Sequence, residues 1–159
     1  MRFEPIGTIH TPFTEAEGMP IQPAGASGVT GTLELRPEYA DGLRDLDGFS
    51  HIILVYAFHE SRGFDLQVVP FMDAEPRGVF ATRAPRRPNP IGVSVVRLVG
   101  IEGNIVHVES IDVLDGTPLL DIKPFVPGFD ADGDVRAGWL EGVSVQANST
   151  RADGRFLGR

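Results

Sequence analysis

Gly92-Val93-Ser94-Val95-Val96-Arg97-Leu98-Val99-Gly100-Ile101 is followed by Glu102-Gly103-Asn104 and then by Ile105-Val106-His107-Val108-Glu109-Ser110-Ile111-Asp112-Val113. Both flanking runs are rich in β-branched residues, which suit a pleated, partly buried surface. The short polar segment between them carries a glycine, as a tight reversal requires, so the stretch reads as a β-hairpin.

Outward from this hairpin the same pattern recurs in short pieces, at Ile6–Ile9, Val29–Leu35, His51–Phe58, Leu66–Val69 and Leu119–Ile122. Turn residues separate these runs at short intervals, which predicts a mainly β domain, a mostly antiparallel barrel or sandwich. His51–Phe58 and Val93–Val99 are apolar at both alternating sets of positions and are expected to be central strands covered on each side. Helix signals are sparse. Pro37–Leu43 opens on proline, with Gly42 near its end, and Ala137–Gly142 offers a weaker second candidate. At 159 residues the chain predicts one domain, over residues 3–146, with 147–159 as a loosely held tail.

Composition removes several function classes. There is no cysteine, so thiol nucleophiles, disulfides and thiolate metal sites are excluded. No apolar run reaches the roughly 18 residues of a membrane span, and the start, Met1-Arg2-Phe3-Glu4-Pro5, lacks a signal-peptide core; a cytoplasmic protein without a membrane partner is expected. The net charge of −8 opposes general coating of a polyanion. Only Arg77, Arg83, Arg86 and Arg87 form a local basic cluster.

The common phosphate and dinucleotide cradles are missing: no Gly-x-Gly-x-x-Gly follows a strand, and there is no Gly-x-x-x-x-Gly-Lys-Ser/Thr. A Rossmann fold is therefore not expected. Asp130, Asp132, Asp134 and Glu141 imitate a calcium loop, but Val135 stands where the sharp turn needs glycine. His10, His51, His59 and His107 lack metal-ligand spacing, and no metal is expected. Asp112 and Asp115 are spaced for acid–base work or for a turn. His59-Glu60 falls at a strand end, where loops build sites. In Arg83-Ala84-Pro85-Arg86-Arg87-Pro88-Asn89-Pro90 three prolines stiffen an arginine-bearing loop, which lowers the ordering cost of binding.

That loop, with Gly78-Val79-Phe80-Ala81-Thr82 before it and Ile91-Gly92-Val93-Ser94 after it, closely resembles the signature of the TsaA-like (TrmO-like) proteins. Ile6-Gly7-Thr8-Ile9-His10-Thr11-Pro12-Phe13, Leu46-Asp47-Gly48-Phe49-Ser50-His51 and Asp115-Gly116-Thr117-Pro118-Leu119-Leu120-Asp121-Ile122-Lys123-Pro124 match in the same order. The resemblance implies an antiparallel β-barrel that works as a homodimer. It also implies an S-adenosylmethionine-dependent methyltransferase acting on the exocyclic nitrogen of threonylcarbamoyladenosine beside the tRNA anticodon. Carried over by motif order, cofactor contacts fall on Pro20, Ile21, Gln22, His59, Glu60, Arg83, Val95, Asp115, Gly116, Thr117 and Pro118. Two departures stand out: Phe125 replaces the family's usual tyrosine, and the extra C-terminal domain of many bacterial members is absent from this sequence.

Methyl transfer from a sulfonium is chiefly an alignment problem, aided by removal of the acceptor proton. Asp112, Asp115 and His59 are candidate bases. Lys123, the only lysine, is a candidate contact for substrate charge or half of a surface ion pair. Arg86 and Arg87 are the expected tRNA contacts. Two alternatives stay open: methylation of a small polar molecule, and a cofactor-binding regulatory module without turnover.

Overall fold

The computed structural model describes residues 1–157. Six antiparallel strands close into a barrel: β1 (Gly7–His10), β2 (Thr30–Leu35), β3 (His51–Ala57), β6 (Ile91–Glu102), β7 (Ile105–Glu109) and β8 (Thr117–Pro124). Their order around the barrel is β1-β2-β7-β6-β3-β8, with β8 pairing back to β1. A separate two-stranded ribbon joins β4 (Gln67–Val68) to β5 (Arg77–Gly78). The only α-helix among the described residues is one turn, α1 (Pro127–Asp130), and Pro37–Leu43 forms a 3-10 helix with Pro37 leading it.

The hairpin forms where the sequence places it. Pairing runs out to Glu102↔Ile105, leaving Gly103 and Asn104 as the loop; Gly103 adopts φ 61°, a left-handed conformation that only glycine takes without cost. The second strand is shorter than expected, because Ser110 at φ 65° turns the chain out of the sheet after Glu109. Ile111 and Val113 are nevertheless buried, so their apolar character reflects packing beyond the strand.

Strand alternation fills the barrel. Ile9, Leu33, Ile52, Leu54, Val96, Val106 and Leu119 point inward and are fully buried. The expectation of cover on both faces fails for β6, while β3 keeps its outward Ile53 and Val55 half-buried. A closed barrel has a single interior, and on the outer face of β6 Val93 is 50% and Val99 62% exposed. A second, smaller apolar cluster, Val68, Val79 and Ala84 with Phe156 against it, lies outside the barrel.

The C-terminal segment departs from the expected loose tail. Arg151 bridges Pro20, Ala152 N–H donates to Met19 O at 2.8 Å and Gly18 N–H to Ala152 O at 2.7 Å. Phe156 packs edge-on against Phe71 with ring centroids 5.0 Å apart. Single anchors at short spacing leave no periodic signature, which is why the sequence reads as unstructured there. Gly158 and Arg159 lie outside the described residues.

Candidate active site

One end of the barrel opens into a cavity of about 1120 Å³. Separated parts of the chain wall it. Met19, Pro20, Ile21 and Gln22 form one side, the loop after β3 brings Phe58, His59 and Glu60, the proline-stiffened loop brings Arg83 and Arg87, and the C-terminal segment adds Trp139, Ala147 and Phe156. Asp112, Leu114 and Thr117 line the end nearest the barrel core. The walls are mostly apolar with a few convergent charges, as small-molecule sites are.

A directed hydrogen-bond chain ends at the cavity. Ser94 Oγ lies 2.6 Å from Asp112 Oδ1 and 3.0 Å from the Tyr56 hydroxyl. Ser94 has one hydroxyl hydrogen and gives it to the carboxylate, so Tyr56 must donate to Ser94. The register makes this possible, since β3 and β6 pair Leu54↔Ser94 and Tyr56↔Gly92. Gly92 is required there: a Cβ would fall within the Tyr56 ring and 2.9 Å from Phe58 Cζ. Burial pushes the Asp112 carboxyl up to about 6, opposed by the Ser94 hydrogen bond and the positive charge of Arg83. Burial likewise raises the Tyr56 phenol, so it stays protonated as the donor.

His59 is held in one tautomer by similar counting. Thr117 Oγ1 donates to Leu114 O at 2.7 Å, so the 3.3 Å contact between Thr117 Oγ1 and His59 Nδ1 requires the hydrogen on Nδ1. Arg83 donates to Gln22 Oε1 at 3.0 Å and is exposed. Arg87 donates to Thr82 O at 3.1 Å and Ala84 O at 3.4 Å, cinching its own loop. Neither arginine pairs with a carboxylate among the described residues. The cavity therefore holds positive charge free to meet an anionic ligand group.

Of the residues expected at a cofactor site, Pro20, Ile21, Gln22, His59, Glu60, Arg83 and Thr117 line the cavity, as does the candidate base Asp112. The others sit elsewhere. Asp115 Oδ1 accepts from Thr11 N–H at 3.0 Å and ties down the end of β1. Gly116 is a turn residue at φ 76°, and Pro118 pairs with Thr8 in the barrel wall. Val95 follows inward Ser94 on β6 and so faces outward. Lys123 forms an exposed ion pair with Asp121 at 2.6 Å, away from the cavity. Arg86, whose side chain is only 22% exposed, pairs with Asp65 at 3.1 Å. Arg86 and Arg87, the expected tRNA contacts, thus each also bond to the protein itself. Gly92 and Ser94 belong to the signature stretch without a role assigned to them there, and Tyr56 does not stand out in the sequence, although a serine at an inward position of an apolar strand is a signal.

Residues 8–131 match the sequence profile of the tRNA-methyltransferase O N-terminal domain. The chain belongs to this family. A Pyrococcus abyssi relative described as a "Probable S-adenosyl-L-methionine-binding protein" is 54% identical over 98% of this chain and 84% of its own length. The tRNA (adenine(37)-N6)-methyltransferase of Escherichia coli is 37% identical over 88% of this chain, which spans 64% of that enzyme. The crystal structure of TrmO from Pseudomonas aeruginosa superposes with a TM-score of 0.74 at 43% identity, covering 87% of this chain and 62% of that one. The matched TrmO domain ends before Trp139, Ala147 and Phe156, so part of the cavity wall is supplied from beyond it.

Proposed function

We propose that this protein is an S-adenosylmethionine-dependent methyltransferase acting on the exocyclic amine of an adenine beside the tRNA anticodon, with threonylcarbamoyladenosine as the acceptor. The observation that carries the reading is Asp112, a half-buried carboxylate that lines the cavity and is held by Ser94, itself bonded to Tyr56. The Escherichia coli relative named for tRNA adenine methylation supports the substrate class. A tRNA substrate places the reaction in the cytoplasm; no helix among the described residues is long and apolar enough to cross a membrane.

The cavity fits the cofactor's chemistry. Met19, Ile21, Phe58 and Leu114 offer apolar surface for its purine, Arg83 suits its carboxylate, and Glu60 suits its ammonium. When bound, S-adenosylmethionine supplies an electrophilic methyl group. The protein's own residues hold both reactants in reach and take the proton that the amine loses. Asp112 is suited to accept that proton, since its hydrogen-bonded Oδ1 fixes the carboxyl plane and its pKa of about 6 leaves it ionised yet basic at neutral pH. His59, with Nδ1 committed to Thr117, presents Nε2 as the alternative acceptor. Ser94→Ala removes a hydrogen bond that favours the ionised form, so the acid limb of kcat/KM moves to higher pH by about one unit. An unmoved limb assigns that limb to another group.

We further propose a homodimer whose cofactor site receives contacts from both chains. The uncovered apolar residues on β6, Ile91, Val93 and Val99, support it. Ile91 and Val93 also line the cavity. Light scattering of the free protein reads a dimer if this holds and a monomer with full cofactor affinity if it fails.

Arg83→Lys is expected to weaken cofactor binding about tenfold in calorimetry at unchanged thermal stability. The exposed guanidinium offers directional donors that an ammonium cannot reproduce. The proposal itself is tested by incubating the protein with methyl-labelled S-adenosylmethionine and tRNA, bearing or lacking threonylcarbamoyladenosine, followed by nucleoside analysis. Label in the modified adenosine supports it. Label only in small molecules of a cell extract gives the small-molecule alternative, and cofactor binding without transfer gives the regulatory one.

A further inference from the structure

The cavity is larger than one small cofactor needs, and its outer wall is aromatic. Pockets for single small ligands usually measure about 300–1000 Å³, and this one reaches about 1120 Å³. Phe80 and Trp139 both line it, and neither is used by the chemistry above.

Phe80 is 75% exposed, yet it is not loosely held. It sits in the 3-10 turn Val79–Ala81, where Val79 is buried, Val79 N–H donates to Leu66 O at 2.9 Å, and Thr82 Oγ1 donates to Val79 O at 2.8 Å. A rigid turn thus holds a large apolar ring in water at the cavity wall. Trp139 is fixed beside that turn, its Nε1–H donating to Ala81 O at 2.7 Å. The Arg77 guanidinium stands 5.7 Å from the indole centroid, a cation–π contact that braces the ring while Asp73, 2.6 Å away, meets its charge. Arg83, exposed and without a carboxylate partner among the described residues, supplies a cation at this cavity.

Aromatic faces beside cations are the means by which proteins hold an unstacked base of single-stranded RNA: the ring takes the base face and the cations take the phosphates. We infer that Phe80 and Trp139 form the acceptor subsite of this cavity, on which the purine of an RNA loop stacks while its amine reaches toward Asp112. The inference rests on the methyltransferase reading above and adds where the acceptor binds. It also gives the C-terminal segment a role that the matched family domain, ending at residue 131, does not contain.

Trp139 is the only tryptophan, so its fluorescence reports the subsite directly. The probes are a labelled anticodon stem-loop RNA with adenine on the 3′ side of the anticodon, the same RNA abasic at that position, and S-adenosylhomocysteine. Anisotropy of the label reads RNA binding independently. The expected result is quenching of Trp139 by the adenine RNA, little quenching by the abasic RNA at equal occupancy, and little by S-adenosylhomocysteine alone. Phe80→Leu, an exposed change that spares the fold, should weaken adenine RNA binding about tenfold and leave S-adenosylhomocysteine affinity unchanged. Equal quenching by both RNAs, or methylation of the adenine RNA without any Trp139 response, overturns the subsite alone. Quenching by S-adenosylhomocysteine alone assigns the wall to the cofactor and overturns it too. Absence of any RNA binding or methylation overturns the tRNA reading, and the subsite falls with it.

Discussion

Asp112→Asn is expected to lower kcat by a factor of about 10²–10⁴, the usual worth of a positioned general base, while S-adenosylmethionine affinity changes little. The same variant should be more stable than the parent at neutral pH. Burial raises the folded-state carboxyl to about 6 from 3.8, so between those values the folded protein holds a proton that the unfolded chain has released. Stability contributed by this group is therefore full below about pH 4 and is lost as pH rises through about 6. Asparagine keeps the acceptor for Ser94 and removes the charge, recovering about 1–3 kcal/mol at pH 7 to 8. Calorimetric scans of both proteins from pH 4 to 8 check the sign. A variant that is less stable across the whole range, or that retains activity, would show Asp112 to be a structural residue.

Ending the chain after Arg136 is expected to raise KM for S-adenosylmethionine at least tenfold, with a cooperative thermal transition retained. The removed segment contributes Ala147 and Phe156 to the cavity and the Arg151 bridge that holds Pro20, beside Ile21 and Gln22. None of the buried residues of the main core, from Ile9 to Leu119, lies in it. Its loss opens the wall and uncovers Val68, Val79 and Ala84 without touching the barrel interior. Unchanged KM would mean that the segment covers the cavity without shaping it.

The barrel was legible because strand alternation is local. The run from Gly92 to Val113 carries its turn within it, and Gly103 meets the backbone demand at the reversal. Closure was not legible from periodicity, since the pairing of β1 with β8 joins segments more than a hundred residues apart. For the same reason Val93 and Val99 read as buried when only the inward set of β6 is. Within the site, His59 and Glu60 stand out by their place at a strand end and Arg83 by its proline-stiffened loop, not through spacing, because they reach one cavity from separate loops. The link between Tyr56 and Ser94 escaped notice because it exists only across the register of β3 and β6. The arginines at 86 and 87 show the converse: clustering in sequence suggested a surface patch, and gave no sign of their bonds to Asp65, Thr82 O and Ala84 O.

Because β8 pairs back to β1, each of the six barrel strands has a neighbour on both sides, although β6 meets β7 only from Arg97 to Glu102. A second copy in the proposed dimer therefore meets no wholly unpaired edge strand, and the side chains standing on the outside of the wall, Val93 and Val99 among them, are the surface offered to it. Association built that way is tuned one residue at a time, so a single charge at Val93 should separate the copies while every backbone hydrogen bond of the barrel survives.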